Sequence, residues 1–209
     1  MLFLTKVVLD TSNKGYERII QDCVKMHQFV MSMFPQIHSD TARCDANILY
    51  VIDESCRDAD HSDTLYIQSS VRPYWNKEDY RIKSMTSCDA TSLLDKFKEG
   101  QKYNFTVLAN PRMHADRKTG KYIYIRDKEN RKRWVANRLP GCEVSDIIEE
   151  NYYKITGEKK DNTVTVVVQR FSGQLQITDA EEFRNTFVNG AGPAKSYGCG
   201  MVQLFPTGR

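Results

Sequence analysis

The feature that most constrains this chain is an order of strand, helix, strand, strand that occurs twice, in stretches that are not visibly alike in sequence. Residues 2 to 9 are β-rich and read as a strand. Thr11-Ser12-Asn13 supplies a helix start, and residues 15 to 34 read as one helix ending at Phe34-Pro35. At about 100° per residue, Ile19, Ile20, Cys23, Val24, Met26, Val30, Met31, Met33 and Phe34 share one face. His27 falls inside that apolar face. Ala46 to Asp53 and Thr64 to Val71 read as strands around an acidic loop, 53 to 63. Ala90 to Phe97 reads as a short helix, and Tyr80 to Met85 as a further strand of open position.

Lys98-Glu99-Gly100-Gln101 marks the boundary, and the order then returns. Tyr103 to Ala109 is a strand and Asp127 to Leu139 a helix. Tyr152 to Thr156 and Thr163 to Arg170 are strands around the turn 157 to 162, and Leu175 to Ile177 extends the sheet. Thr178-x-x-Glu181 has the form of a capping box opening a helix through Val188, with Gly190 at its end. Met201 to Phe205 closes as a strand. β-α-β-β-α-β is the split βαβ, ferredoxin-like pattern. The expected fold is therefore α+β, with two tandem ferredoxin-like domains at 1–97 and 102–209.

Composition narrows the function classes. With 40% hydrophobic and 27% charged residues, a chain of 209 can bury two small cores. The apolar start Met1-Leu2-Phe3-Leu4 is broken by Lys6 and Asp10, too early for a signal segment, and no apolar run is long enough for a membrane span. Six cysteines lie scattered without C-x-x-C, and four histidines are equally dispersed. This spacing fits reduced thiols in a cytoplasmic protein and offers neither zinc ligands nor a disulfide framework. No metal and no cofactor is expected.

Three places carry possible chemistry. The loop Asn189 to Gly200 holds glycines at 190, 192, 198 and 200, with Lys195 and Ser196 between them. Such a loop forms a backbone nest for phosphate, or merely joins the last helix to the last strand. It is not a Walker A loop, because the order G-x-x-x-x-G-K-[ST] is missing. Residues 112 to 133 hold nine cations against three carboxylates, a surplus of six where the whole chain carries +3. Tyr122, Tyr124 and Trp134 are interleaved or adjacent. That pattern suits a nucleic-acid backbone or a solvated charged face. Arg112, Arg131, Lys132 and Arg133 are its candidate contacts, joined by Lys159 and Lys160 on a projecting turn and by Gly192, Lys195 and Ser196 in the glycine loop. His27 is either a core histidine or a proton-transfer group, since an imidazole exchanges protons near neutral pH.

The terminal string Gly190-Ala191-Gly192-Pro193-Ala194-Lys195-Ser196-Tyr197-Gly198-Cys199-Gly200 resembles the glycine-rich loop of the CasE family, the CRISPR RNA-processing endoribonucleases of type I-E Cascade. Leu4-Thr5-Lys6-Val7-Val8-Leu9 looks like the family's first strand. Met26-His27-Gln28 with Met33-Phe34-Pro35 is similar to its first helix, and Leu108-Ala109-Asn110-Pro111 to its R-A-N-P segment. Val24 departs from the tyrosine that relatives can carry three residues before the histidine, and Leu108 from the arginine before Ala-Asn-Pro. The resemblance implies a metal-independent endoribonuclease with His27 as its catalytic residue. It further implies that the CRISPR repeat hairpin is bound, cut at the 3′ base of its stem and retained with other Cascade subunits. Two other readings stand beside it: a non-catalytic RNA-hairpin-binding subunit of the same fold, and a ferredoxin-like interaction or regulatory module. A metal nuclease would have to use the acidic loop, the one carboxylate cluster in the chain.

Overall fold

The computed structural model describes residues 1–37, 39, 41–53, 60–116, 120–160 and 162–207. Much of the acidic loop, with Arg117, Lys118 and Asp161, lies outside the described residues. The chain divides into two compact units that are not contiguous in sequence. Unit 1 comprises Met1–Asp95, Ile155–Thr165 and Ser196–Gly198; unit 2 comprises Lys96–Lys154, Val166–Lys195 and Cys199–Arg209.

In unit 1, β1 (Phe3–Asp10), β2 (Leu49–Asp53), β3 (Ser62–Ser69) and β4 (Ile82–Asp89) form an antiparallel sheet in the order β2-β3-β1-β4. This is the ferredoxin-like order. β1 is central, with Val7 opposite both Leu65 of β3 and Met85 of β4. Period-two alternation turns Val7 and Leu9 inward, both fully buried. The helix expected over 15 to 34 is in fact two: α1 (Lys14–Ile20) and α2 (Cys23–Ser32). Asp22 makes the break, because its carboxylate accepts from the N–H of Val24 at 2.9 Å and of Lys25 at 3.0 Å and so starts a new helix. Met26, Phe29, Val30 and Met33, at helical spacing, are buried against the sheet with Tyr16, Ile48 and Leu65.

A short helix, α3 (Ala42–Asp45), precedes β2, and another, α4 (Thr91–Leu94), follows β4. Residues 70–81, where the pattern would place a second helix, run as turns and extended chain. Val71 and Trp75 from that stretch pack on the core and cover it in the helix's place.

β5 (Lys102–Ala109), β8 (Cys142–Glu149), β10 (Asn162–Ile177) and β11 (Val202–Pro206) form the sheet of unit 2 in the order β11-β5-β10-β8, again ferredoxin-like; β9 (Tyr153–Lys159) pairs with β10, and residues 155–165 of that hairpin count with unit 1. β6 (Arg112–Asp116) and β7 (Lys121–Tyr124) form a separate hairpin. The helices are α5 (Lys128–Ala136) and α6 (Ala180–Asn189). Asp179, not Thr178, caps α6 by accepting from the Glu182 N–H at 2.9 Å. The N–H groups of both Thr178 and Asp179 donate to the Gly141 carbonyl, which anchors the start of the helix. Phe97 belongs to this core rather than to a helix of the first half. It is fully buried, with ring centroids 5.1 Å from Phe183 and 5.2 Å from Phe187.

Among the described residues no helix is long and apolar enough to cross a membrane, no disulfide joins the cysteines, and no group of three or more His, Cys, Asp or Glu stands ready to hold a metal ion.

Candidate functional site

His27 lies one residue beyond Met26 on α2, so its ring falls at the edge of the buried stripe and is half-buried. Its Nδ1 is fully buried and has no hydrogen-bond partner among the described residues. A cavity of about 530 Å³ opens beside the ring, lined by Met31, Phe34, Thr41, Arg43 and Ser196 among others. The Tyr197 ring meets the imidazole edge-on, with centroids 6.4 Å apart and planes at 71°. Burial first, then the positive charges of Arg43 and Lys159, hold the His27 imidazole below its ordinary value.

Two ties position this histidine. Ser196 and Tyr197 belong to a 3₁₀ turn, Lys195–Tyr197, and the Ser196 carbonyl accepts from the Tyr50 hydroxyl at 2.9 Å. The second tie is Asp22, which accepts from the Glu158 N–H at 3.3 Å as well as from Val24 and Lys25. It thereby fastens the start of α2 to the tip of the β9–β10 hairpin. The approach is so close that a Cβ at Gly157 would lie 2.5 Å from the Asp22 carboxylate and 2.7 Å from the Val24 nitrogen. Burial pushes the Asp22 carboxyl up, but the N–H groups of Lys25, Glu158 and Val24 outweigh it and hold the group below the ordinary carboxylate value. Asp22→Ala should cost about 0.5–2 kcal/mol of stability, as loss of a helix N-cap does. Denaturant titration at neutral pH checks this. Because the folded carboxyl is depressed, the same contribution is present above the ordinary carboxylate range and lost as pH falls through it.

Unit 2 has a pocket of its own, about 590 Å³, where the base of the β6–β7 hairpin, the ends of α5 and α6 and the glycine loop converge. Three of the sequence candidates line it: Arg112, Gly192 and Lys195. Gly192 has a φ of +77°, and a Cβ there would press within 2.9 Å of the Trp134 ring. The Arg112 guanidinium lies 4.2 Å over the Tyr122 ring. The other candidates are dispersed. Arg133 is exposed on α5, and Lys132 pairs loosely with Glu129 at 3.6 Å. Lys159 and the positive-φ Lys160 are exposed at the hairpin tip within unit 1. Arg131 is turned inward. It grips Glu149 with two donors at 2.5 and 2.9 Å and donates to the Ile125 and Arg126 carbonyls.

Reading the sequence missed Arg43, Asp22 and Tyr197. Thr41 and Asp45 around Arg43, and Asp22 ahead of an apolar run, are the helix-boundary signals that were available. The R-A-N-P-like segment has a visible structural task. The Asn110 amide donates to the Val167 carbonyl at 2.5 Å, and the chain turns there from β5 into the hairpin.

A family model described as CRISPR associated protein matches residues 2–206. The chain belongs to the CRISPR-associated protein family. The family expected from the terminal loop is thus the one found. No curated protein matches the chain. Among solved structures, the CRISPR endoribonuclease Cse3 bound to a 19-nucleotide RNA is 19% identical, with a TM-score of 0.80 over 98% of this chain and 99% of that one. Cse3 of Thermus thermophilus, bound to an RNA representing a pre-cleavage complex, is also 19% identical, with a TM-score of 0.78 and coverage of 98% and 99%. Cas6e of Escherichia coli K-12 is 21% identical, with a TM-score of 0.69 over 98% of this chain and all of that one. At these identities the likeness is one of fold, and this CRISPR-associated protein shares the tandem ferredoxin-like architecture with them.

Proposed function

We propose that this protein is a metal-independent endoribonuclease that binds the CRISPR repeat hairpin, cuts precursor CRISPR RNA at the 3′ base of the stem and keeps the product as a cytoplasmic subunit of a Cascade complex. The observation that carries this reading is His27, whose half-buried imidazole borders a cavity shared with Arg43 and the glycine-loop residue Ser196. The RNA-bound Cse3 structures and a similar chain in a CRISPR RNA-guided surveillance complex support the choice of substrate and partners.

RNA brings its own nucleophile, the 2′-OH. Nε2 of neutral His27 takes the 2′-OH proton as the O2′–P bond forms. The P–O5′ bond breaks, and the leaving oxygen takes up a proton. The products are a 2′,3′-cyclic phosphate and a 5′-OH. Arg43 is assigned to the charge that develops on the phosphoryl oxygens. The test is cleavage of the protein's own repeat hairpin in excess EDTA. Full-rate cleavage with a cyclic-phosphate end is expected. Binding without cleavage would leave a non-catalytic RNA-binding subunit, and cleavage abolished by EDTA would require a metal.

A base must be unprotonated, so the depressed imidazole should keep kcat/KM level to a pH below the ordinary histidine value of about 6.5. Lys159→Gln removes one of the repelling charges and should move the acid limb upward. A wild-type limb at or above the ordinary value would remove His27 as base.

Hairpin RNA is recognised largely through shape and phosphates, because the A-form major groove is deep and narrow. Arg133 and Lys160, both exposed, and the half-buried Lys132 are the contacts proposed, with Arg112, Gly192 and Lys195 at the unit 2 pocket. Arg131 holds α5 in place for them by gripping Glu149. Replacing Lys132, Arg133 and Lys160 by Gln should flatten the salt dependence of binding by about 0.7–0.9 in log–log slope for each phosphate no longer neutralised. An unchanged slope would take them out of the interface.

A further inference from the structure

We propose that the unit 2 pocket receives one unpaired nucleobase of the RNA, from the single-stranded segment next to the hairpin stem. The inference rests on the RNA-binding reading above and adds to it a site for a particular kind of nucleotide.

The pocket's walls are aromatic and cationic in pairs. Arg112 stacks on Tyr122 at 4.2 Å, and the Arg138 guanidinium lies 5.3 Å over the Trp134 ring. Unpaired RNA bases stack on just such rings and guanidinium planes. Gly192 leaves room for the Trp134 ring, which a side chain there would displace. Trp134 lines the pocket and is the chain's indole there, held against Gly192 on one side and Arg138 on another.

The floor argues against a phosphate as the occupant. α5 ends at Asn137 and α6 at Gly190, and both cap residues line the pocket. Helix C-termini carry partial negative charge. The Glu182 carboxylate also lines it. These groups repel a phosphate and accept hydrogen bonds from exocyclic amino groups and ring N–H, while the Asn185 and Asn189 amides offer both donors and acceptors to a base edge. The cations Arg112, Arg138 and Lys195 outnumber the single carboxylate and draw the RNA backbone to the pocket. A base inside, with its phosphates held outside, satisfies both sets of charges.

The chain has two tryptophans, so Trp75→Phe leaves Trp134 as the sole indole reporter. The probe is the repeat hairpin with and without unpaired flanking nucleotides, carrying a 2′-deoxy sugar at the base of the stem so that it stays intact. Flanked RNA is expected to quench Trp134 saturably and to bind about tenfold more tightly than the blunt stem, within the range for one base stacked on an aromatic ring. Tyr122→Ala, on a half-exposed ring whose removal spares the core, should abolish most of that advantage and weaken blunt-stem binding far less, by no more than the loosening of Arg112 costs. Equal binding of both RNAs without quenching would overturn the pocket while leaving RNA binding intact. Equal weakening of both RNAs by Tyr122→Ala would overturn it in favour of a general backbone contact. Failure of either RNA to bind would overturn it together with the proposed function.

Discussion

His27→Ala should slow cleavage of the repeat hairpin about 10²–10⁴-fold, the usual worth of a positioned general acid or base, with hairpin affinity nearly unchanged. α2 is clamped at its start by Asp22 and buried along Met26, Phe29 and Val30, so the ring at the fifth helical position has a defined place. The residue lines a cavity of about 530 Å³, wide enough for a phosphodiester. Burial, Arg43 and Lys159 favour the neutral ring that a base requires. Because the ring is half-buried, its removal leaves the buried stripe of α2 intact. Single-turnover kinetics beside a binding titration separates rate from affinity. Cleavage within about tenfold of wild type would assign the chemistry elsewhere.

Phe97→Ala should cost about 3–5 kcal/mol, as large-to-small changes at fully buried aromatic positions do. The ring has no exposed surface, packs edge-on against Phe183 and Phe187, and approaches Tyr103 at 6.1 Å. Its carbonyl also accepts from Arg184 at 3.0 Å. Deletion leaves a cavity at the foot of α6, whose far end contributes to the unit 2 pocket. Denaturant titration should show the loss in unit 2, with Phe97→Leu milder because it refills part of the volume. A cost below about 1 kcal/mol would mean that the three rings re-close over the gap.

Phe97 also illustrates what could be read from the sequence. Its apolar neighbours Leu93 and Leu94 made it look like the end of a first-half helix, because local periodicity cannot say which core a ring enters. The strands β1, β3, β5 and β10 were legible from their runs of β-branched and aromatic residues. The helix break at Asp22 was not, since the apolar face continues on both sides and only the capping geometry interrupts it. β6 and β7 escaped notice because their charge suggested a surface run. Yet Arg112-Met113-His114 and Tyr122-Ile123-Tyr124 alternate across Gly120, whose φ is +65°. His27 was ambiguous on its helix and gained its meaning from the family's motifs. Arg43 and Asp22 could be placed beside it only by tertiary structure.

The discontinuity of unit 1 has a consequence for how the protein is made. A ribosome delivers residues 1–95 early, with β1 to β4 and both long helical segments of the unit, yet the hairpin tip follows some 60 residues later and Ser196–Gly198 almost at the end of the chain. Until then α2 lacks the Glu158 N–H that braces Asp22, and Tyr50 lacks the carbonyl it holds. The surroundings of His27 are thus finished last, so a nascent or C-terminally shortened chain carries the histidine without its completed setting. Domains generally fold in the order of synthesis, but here the first unit waits for residues 155–165 and 196–198.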